Sequence, residues 1–187
     1  MKRGSATILL LLFLFCALRA QVALKTNVPM DVLRMPNLGV EAGVSKRLTL
    51  DLTGYYTPWK FSDTKMHKLL MVQPELRYWF CDKFNGHFLG LHLMGGVYNT
   101  MGFKPPFGLW DDMDEYRYKG QFYGAGLSYG YQFILDRHWN LEATLGLGYN
   151  YVTYRKYVCK DCGRQIEKSH KNYVGPTKAA LNLVYIF

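Results

Sequence analysis

The sequence has 187 residues, of which 49% are hydrophobic and 16% aromatic, and it carries a formal charge of +9. This length fits one domain. The mean hydropathy of −0.12 is too low for a bundle of membrane helices, so the composition excludes that class of protein.

A continuous apolar run covers residues 8–18 and follows Lys2 and Arg3. The run is too short to span a membrane comfortably, and its basic flank is typical of a secretory signal peptide. We therefore expect residues 1–20 to be cleaved after Ala20, leaving residues 21–187 as the mature domain. Cleavage lowers the formal charge from +9 to +6. Because an exported basic chain meets anionic lipid headgroups or sugars rather than nucleic acid, we expect no nucleic-acid partner.

Apolar and polar residues alternate throughout the mature chain, which is the pattern of half-buried β-strands. The alternation predicts eight strands, at residues 22–28, 37–45, 48–57, 70–80, 87–99, 121–135, 139–154 and 177–187. Short turns alternate with longer connections, as in an even-numbered antiparallel barrel with its long loops at one end. We therefore predict an all-β fold, an eight-stranded antiparallel up-and-down transmembrane β-barrel that follows the signal peptide.

The last predicted strand, residues 177–187, reads T-K-A-A-L-N-L-V-Y-I-F and ends on an aromatic residue, as outer-membrane barrels do. A tilted strand of ~9–11 residues spans the hydrocarbon layer of a bilayer. Aromatic residues also gather at both ends of the other strands, as in the two interfacial girdles of such barrels. These features predict an outer-membrane location, contact with outer-membrane lipid and a monomeric state.

A soluble periplasmic ligand-binding barrel is an alternative, with its apolar face turned inward. The glycines favour the membrane barrel, because on two predicted strands they occupy the polar face. They leave room for bulky neighbours inside a narrow barrel but would only weaken strands on a wet surface. Within the fourth strand, Pro74 predicts a bulge.

Eight short runs, distributed along nearly the whole mature chain, carry a family resemblance. They are A-L-K-T-N at 23–27, P-N-L-G-V-E at 36–41, L-D-L at 50–52, V-Q-P-E-L-R-Y-W-F-C at 72–81, F-N-G-H-F-L-G at 84–90, Y-G-A-G-L-S-Y-G-Y at 123–131, W-N-L-E-A-T-L-G at 139–146 and G-P-T-K-A at 175–179. Together they resemble an uncharacterised domain-of-unknown-function family of small outer-membrane proteins from Gram-negative anaerobes. The resemblance implies an outer-membrane β-barrel with a link to fimbria-like surface assemblies, and it supplies no catalytic residues.

The polar faces of the predicted strands collect seven charged residues: Lys25, Glu41, Asp51, Glu75, Arg77, Glu142 and Lys178. The interior of an eight-stranded barrel is just wide enough for side chains to fill. Because an unpaired buried ion is costly, we expect these charges to pair into a network that plugs the interior. An ion path through Glu75, Arg77 and Glu142 is the alternative, although a porin would need more strands.

The long connections hold the remaining candidates for function. Four acidic residues lie within residues 111–115, and the connection at 155–176 is basic. We expect the two to attract each other; a surface protein or an anionic glycan is the alternative partner of the basic connection. A lipid-modifying membrane enzyme is a further alternative, but Ser169-His170 beside Glu167 does not make a nucleophile–base pair by adjacency alone. We therefore predict no catalytic residues, no cofactor and a structural or surface-interaction role.

Three cysteines remain in the mature chain: Cys81, Cys159 and Cys162. The C-x-x-C spacing of the last two suits a small disulfide loop, half of a zinc site or a redox motif. A thioredoxin-type redox motif lacks its βαβ scaffold here. We favour a Cys159–Cys162 disulfide. The alternatives are zinc bound by both thiolates and His170, with His67 as a distant fourth ligand, or two free thiols.

Overall fold

The computed structural model describes residues 21–59, 66–102, 116–158 and 165–187. These residues form eight strands and one short helix: β1 (Val22–Asn27), α1 (Val28–Val32), β2 (Asn37–Gly43), β3 (Leu48–Thr57), β4 (Met66–Trp79), β5 (Gly86–Met101), β6 (Arg117–Ile134), β7 (Trp139–Tyr157) and β8 (Gln165–Ile186). The predicted signal peptide, residues 1–20, lies outside the described residues.

Each strand pairs antiparallel with the next one along the chain, and β1 also pairs with β8. This closing pair sets Ala23 opposite Ile186 and Thr26 opposite Leu183. The strands therefore make a ring-like sheet, and the prediction of an all-β fold with eight antiparallel up-and-down strands is confirmed. Within the described ranges, no helix has the length and apolar character needed to cross a membrane.

Several strands run further than the alternation indicates. The third strand has the predicted bounds, Leu48–Thr57, but β8 begins at Gln165 instead of residue 177. Residues 165–176 are mostly polar and show little alternation, yet their backbone pairs with β7 as far as Tyr157. Backbone hydrogen bonds to β7 thus extend β8 beyond the residues whose side chains alternate. His170 consequently lies on a strand and not on the predicted loop.

The prediction of a bulge at Pro74 is wrong. Pro74 keeps an unshifted register with β3. On the other side, the pairing of β4 with β5 lapses at Gln73 and Pro74 and resumes in the same register, with Glu75 opposite His92. Proline removes one N–H donor, and the ladder here loses pairing without gaining an extra residue.

A register shift occurs instead between β7 and β8. Gly146 lies opposite Lys178, whereas Leu147 lies opposite Pro176. Thr177 is therefore the extra residue of a β-bulge. Because one residue is inserted, residues 167–176 lie on the face opposite to the one that unbroken alternation assigns to them. A second shift, between Lys156 and Tyr157, makes Ile166 another extra residue.

The alternation places polar side chains inside the ring and large apolar side chains outside it. The exposed apolar residues on the strands include Leu38, Val40, Leu50, Leu52, Leu70, Val72, Leu76, Leu89, Leu91, Leu93, Val97, Leu127, Leu145 and Leu147. The buried polar residues include Lys25, Glu41, Thr49, Asp51, Gln73, Glu75, Arg77, His92, Ser128, Gln132, Glu142, Thr144, Lys178 and Asn182. This distribution is the reverse of that in a soluble protein, whose buried residues are mostly apolar.

Two clusters of buried apolar and aromatic side chains lie at the ends of this polar interior. The cluster near the short turns consists of Ala23, Trp79, Phe84, Phe88, Val184 and Ile186. The cluster near the long connections consists of Tyr98, Tyr118, Val152 and Tyr154. The interior is thus layered, with a polar middle between two aromatic ends.

Glycines on the inner face leave space for large side chains. A Cβ atom at Gly130 would lie 2.3 Å from Cζ of Phe88, and one at Gly126 would lie 2.6 Å from Nε2 of His92. Both distances are shorter than a van der Waals contact. The absence of side chains at these two positions therefore allows Phe88 and His92 to fill the ring.

Replacing Gly130 with alanine is expected to destabilise the fold. The new methyl group would overlap the Phe88 ring, which already packs on Trp79 at a centroid distance of 4.7 Å. Overpacking of this kind lowers the free energy of unfolding by about 1–3 kcal/mol. The control is Gly54→Ala, where the nearest atom would be 4.0 Å from the added Cβ. Urea unfolding compares the two variants, and equal stability would contradict the packing account.

Candidate functional site

The seven charged residues predicted for the interior lie together inside the ring. Six strands contribute them: Lys25 (β1), Glu41 (β2), Asp51 (β3), Glu75 and Arg77 (β4), Glu142 (β7) and Lys178 (β8). No side chain of this ion network is more than 4% exposed. The alternation of each strand turns these residues inward, and the ring brings them within contact distance of one another.

Three of the carboxylates are neighbours in one row across the sheet. Glu41 lies opposite Asp51, and Asp51 lies opposite Glu75. Like charges in directly opposite positions destabilise a sheet. The row therefore requires cations beside it.

The Arg77 guanidinium lies at the centre of the ion network. Its Nη1 donates to Glu41 at 2.8 Å and to Glu142 at 2.7 Å, and its Nη2 donates to the second oxygen of Glu142 at 3.1 Å. Its Nε donates to Glu75 at 3.2 Å. A planar guanidinium has enough N–H groups to serve several carboxylates at once, which a lysine ammonium in the same place would do less well. Arg77 thereby joins carboxylates of β2, β4 and β7.

The two lysines complete the pairing. Lys25 Nζ donates to Glu41 and lies 3.1 Å from Asp51, while Lys178 Nζ donates to Glu75. These lysines belong to β1 and β8, the two strands that close the ring. Burial of an ion costs several kcal/mol unless other groups pair with it, so these contacts favour the closed arrangement of the sheet.

Neutral side chains donate to carboxylate oxygens of the ion network. Thr49 donates to Glu41, and Ser128 donates to Glu75 at 2.8 Å. Thr53 donates to Asp51 at 3.2 Å, and Glu142 accepts from Thr144 at 3.0 Å and from Asn182 at 2.7 Å. Because four carboxylates face three cations, these hydrogen bonds stabilise the excess negative charge. The sequence analysis missed this set, although its members occupy inward positions in the alternation.

Aromatic side chains cover the ion network on the side of the short turns. The indole Nε1 of Trp79 donates to Thr49 at 2.9 Å. The Phe88 ring lies 4.5 Å from the guanidinium carbon of Arg77, a cation–π distance. Each of the seven charges therefore has partners, and the arrangement is suited to holding strands together and excluding water.

The remaining predicted ligand residues are not assembled in the described structure. Cys159 and Cys162 lie outside the described residues, so their disulfide and their zinc site stay predictions. His170 is exposed on β8 and stacks on Tyr151 at a centroid distance of 5.3 Å. His67 Nδ1 lies 3.3 Å from the Thr100 hydroxyl at the start of β4. Over the described ranges, no three His, Cys, Asp or Glu side chains are placed to hold a metal ion.

The residues considered for a lipid-modifying enzyme point apart. Ser169 and His170 are consecutive on β8, so their side chains project to opposite faces of the sheet. Glu167 accepts a hydrogen bond from the Tyr154 hydroxyl at 3.1 Å. The backbone therefore does not bring this serine and histidine together as nucleophile and base.

Comparison with protein families identifies one described as "Protein of unknown function (DUF3575)", which matches residues 6–187. The match includes every strand described above. Comparison with curated proteins and with solved structures gives no match. The expected membership of an uncharacterised family of unknown function is thus confirmed, and the family supplies no activity for the ion network.

Replacing Arg77 with alanine is expected to lower the free energy of unfolding by about 3–5 kcal/mol, because buried carboxylates lose their shared partner. The control is Arg47→Ala, which removes an exposed arginine from a short turn and should change stability by about 0.5 kcal/mol at most. Urea unfolding measures both variants. Similar values for the two would show that the ion network is not needed for stability.

A double variant separates charge coupling from simple loss of packing. Glu142→Gln neutralises a carboxylate that Arg77 holds through two N–H groups. With that charge gone, removal of Arg77 leaves less repulsion behind. The stability loss of Arg77→Ala/Glu142→Gln should therefore be smaller than the sum of the single losses by about 0.5–3 kcal/mol. Additive losses would contradict the coupling.

Proposed function

The chain belongs to the DUF3575 family of proteins of unknown function, and we propose that it is an outer-membrane protein whose ring forms a transmembrane β-barrel. The barrel has a filled interior and a structural or surface-interaction role, which its long connections carry. Outer-membrane lipid surrounds the barrel, and a surface protein or an anionic glycan is the partner of the connections.

The observation that carries this proposal is the reversed distribution of side chains. Leu91 in the middle of β5 is 54% exposed and Leu145 of β7 is 72% exposed, whereas Arg77 and Glu142 are fully buried. Exposed apolar residues in such number are unfavourable in water but match the hydrocarbon of a bilayer. A closed sheet also has no free edge, so each strand pairs its backbone on both sides, as hydrocarbon requires. A soluble ligand-binding barrel would need the opposite arrangement.

Aromatic residues near both ends of the strands support a position across a membrane. Outward aromatic residues near the short turns include Tyr78, Phe80, Tyr129, Phe133, Trp139 and Phe187, and those toward the long connections include Tyr56, Tyr123 and Tyr149. Tyrosine and tryptophan favour the two interfaces of a bilayer. The last residue also contributes to closure, since the backbone N–H of Phe187 donates to Val22 at 3.0 Å.

The filled interior favours a structural or interaction role over transport. The ion network and the aromatic ends occupy the space that a channel would need. The connections then carry the binding role, as loops on a rigid scaffold commonly do. In planar bilayers, we expect no steady conductance, and a stable open channel would contradict this role.

Cell fractionation tests the location. We expect the protein to remain in the membrane pellet after an alkaline wash and to be released by detergent. A periplasmic protein processed in parallel is the control for incomplete lysis. Recovery of this chain in the soluble periplasmic fraction without detergent would contradict the proposal.

A charge on the outer face gives an independent test. In a bilayer, Leu91→Arg is expected to lower the free energy of unfolding by about 2–4 kcal/mol, because a cation would lie in hydrocarbon. The control, Val44→Arg, adds the same charge to a short turn and should cost about 1 kcal/mol or less. Urea unfolding in phosphatidylcholine vesicles measures both. An equal, small effect is what a water-facing surface would give, and it would contradict the proposed barrel.

A further inference from the structure

The last strand of the ring is much longer than the first strand, with which it closes. β8 covers Gln165–Ile186, whereas β1 covers Val22–Asn27. Pairing between the two ends at Asn27, which lies opposite Asn182, while β7 pairs with β8 as far as Gln165. Within the described ranges, residues 167–175 therefore have a neighbouring strand on one side only. We call them the β8 edge; they lie beyond the closed part of the ring, toward the long connections.

Near β1, several features cover the backbone of β8. The Asn27 side chain accepts from the Leu181 N–H at 3.4 Å and donates to the Ala179 carbonyl at 3.2 Å, in place of a longer β1. The bulge at Thr177 and Pro176, which has no N–H, come next along the strand. Bulges and prolines are among the means by which proteins keep an edge from pairing with another chain. The β8 edge begins just beyond these features.

The β8 edge presents backbone groups at alternate residues. In an antiparallel sheet, residues on one face bond to one neighbouring strand and residues on the other face bond to the other. On β8 the outward residues bond on the side of β1, as where the N–H of Phe187 donates to Val22 at 3.0 Å. Beyond the bulge, the outward residues include Lys168, His170 and Asn172. Their N–H and C=O groups therefore point away from β7.

Both faces of the β8 edge are accessible. Inward residues of a strand with two neighbours are mostly buried, as Val152 and Tyr154 of β7 are. The inward residues Glu167 and Lys171 of β8 are exposed instead. On the outward face, Val174 is 81% exposed. This exposure is what a strand with one neighbour would show, and it leaves room for a second neighbour.

The strands around the β8 edge carry an excess of basic residues. Residues 152–157 of β7 and 167–175 of β8 include one acidic residue, Glu167, and four basic residues, Arg155, Lys156, Lys168 and Lys171. Antiparallel pairing of two copies of the β8 edge would bring Lys168 and Lys171 of one copy close to those of the other, and like charges destabilise a sheet. A strand with acidic side chains would pair opposite charges. Charge complementarity thus favours an acidic partner over a second copy of this chain.

We propose that the β8 edge binds an extended acidic segment of another protein, which joins the sheet as a further strand. The inference rests on the interaction role in the proposed function and gives that role a partner. Main-chain hydrogen bonds to Lys168, His170 and Asn172 hold the segment, and its carboxylates beside Lys168 and Lys171 provide specificity.

Peptide binding in detergent solution tests the inference. The probe is a synthetic peptide of alternating threonine and glutamate. It is compared with the same peptide N-methylated at every amide, which has no N–H donors, and with a peptide of alternating threonine and lysine. We expect the acidic peptide to bind more tightly than either and less tightly as salt is added. Absence of binding would overturn the inference, equal affinity of the N-methylated peptide would overturn strand addition, and equal affinity of the lysine peptide would overturn the acidic partner.

Two variants of one residue test the part played by the backbone. Asn172→Pro removes an N–H that points away from β7, whereas the matched control, Asn172→Ala, removes the same side chain and keeps the N–H. Affinity for the acidic peptide should be roughly tenfold or more lower in the proline variant, because a hydrogen bond is lost and the ring obstructs the incoming strand. Equal affinities of the two variants would overturn the inference.

A charge reversal gives a second test that leaves the backbone unchanged. Lys168→Glu should weaken binding of the acidic peptide and strengthen binding of the lysine peptide. The control, Lys46→Glu, reverses a charge in an exposed short turn at the opposite end and should change neither affinity. The same response in both variants would overturn the role of Lys168.

Sedimentation and fractionation separate the remaining outcomes. We expect a monomer in detergent. A dimer that Asn172→Pro dissociates and Asn172→Ala does not would assign the β8 edge to a second copy and overturn the choice of partner. Membrane-bound protein that does not bind the acidic peptide contradicts this inference alone, whereas a soluble protein that binds it supports the inference and contradicts the proposed location.

Discussion

Inside the ring, one guanidinium holds together charges that would otherwise repel. The carboxylates of Glu41, Asp51 and Glu75 stand opposite one another on three adjacent strands, and Arg77 contacts each of them as well as Glu142. Such a group is unfavourable in a closed interior unless the pairing is complete. The positions of the lysines, the neutral donors and the aromatic ends are consistent with this requirement. The same contacts cross from β2 to β7, so pairing of charge and closure of the sheet depend on each other.

A sheet with a polar inner face leaves its apolar residues on the outer face. Each strand has two faces, and where one face carries the paired charges the other carries the apolar residues. An apolar outer face is unfavourable in water, and this is the basis for proposing a membrane protein. Toward the long connections the outer face becomes polar, with Lys119, Gln121 and Arg155 exposed.

Much of the fold could be predicted from the sequence, because alternation with a period of two assigns each residue to a face. That assignment gave the eight strands and the inward position of Arg77. It could not give the contacts of Arg77, since a face does not determine which carboxylates a side chain reaches across the ring. The alternation also gave wrong predictions where backbone pairing sets the structure and the side chains give no signal. Examples are the polar first half of β8, Pro74, which forms no bulge, and Thr177, which does. The partners of Cys159 and Cys162 depend on contacts that spacing alone does not determine.

Fluorescence quenching by lipid tests the arrangement of the two faces most directly. Trp79 is completely buried inside the ring, whereas Trp139 is 44% exposed on its outer face. Two single-tryptophan variants, each with the other three tryptophans replaced by phenylalanine, are placed in vesicles of phosphatidylcholine brominated on the acyl chains near the headgroup. Bromine quenches by contact, so we expect strong quenching of Trp139 and little quenching of Trp79. Equal quenching of the two, or none of Trp139, would contradict a ring that faces lipid with its apolar side and encloses its charges.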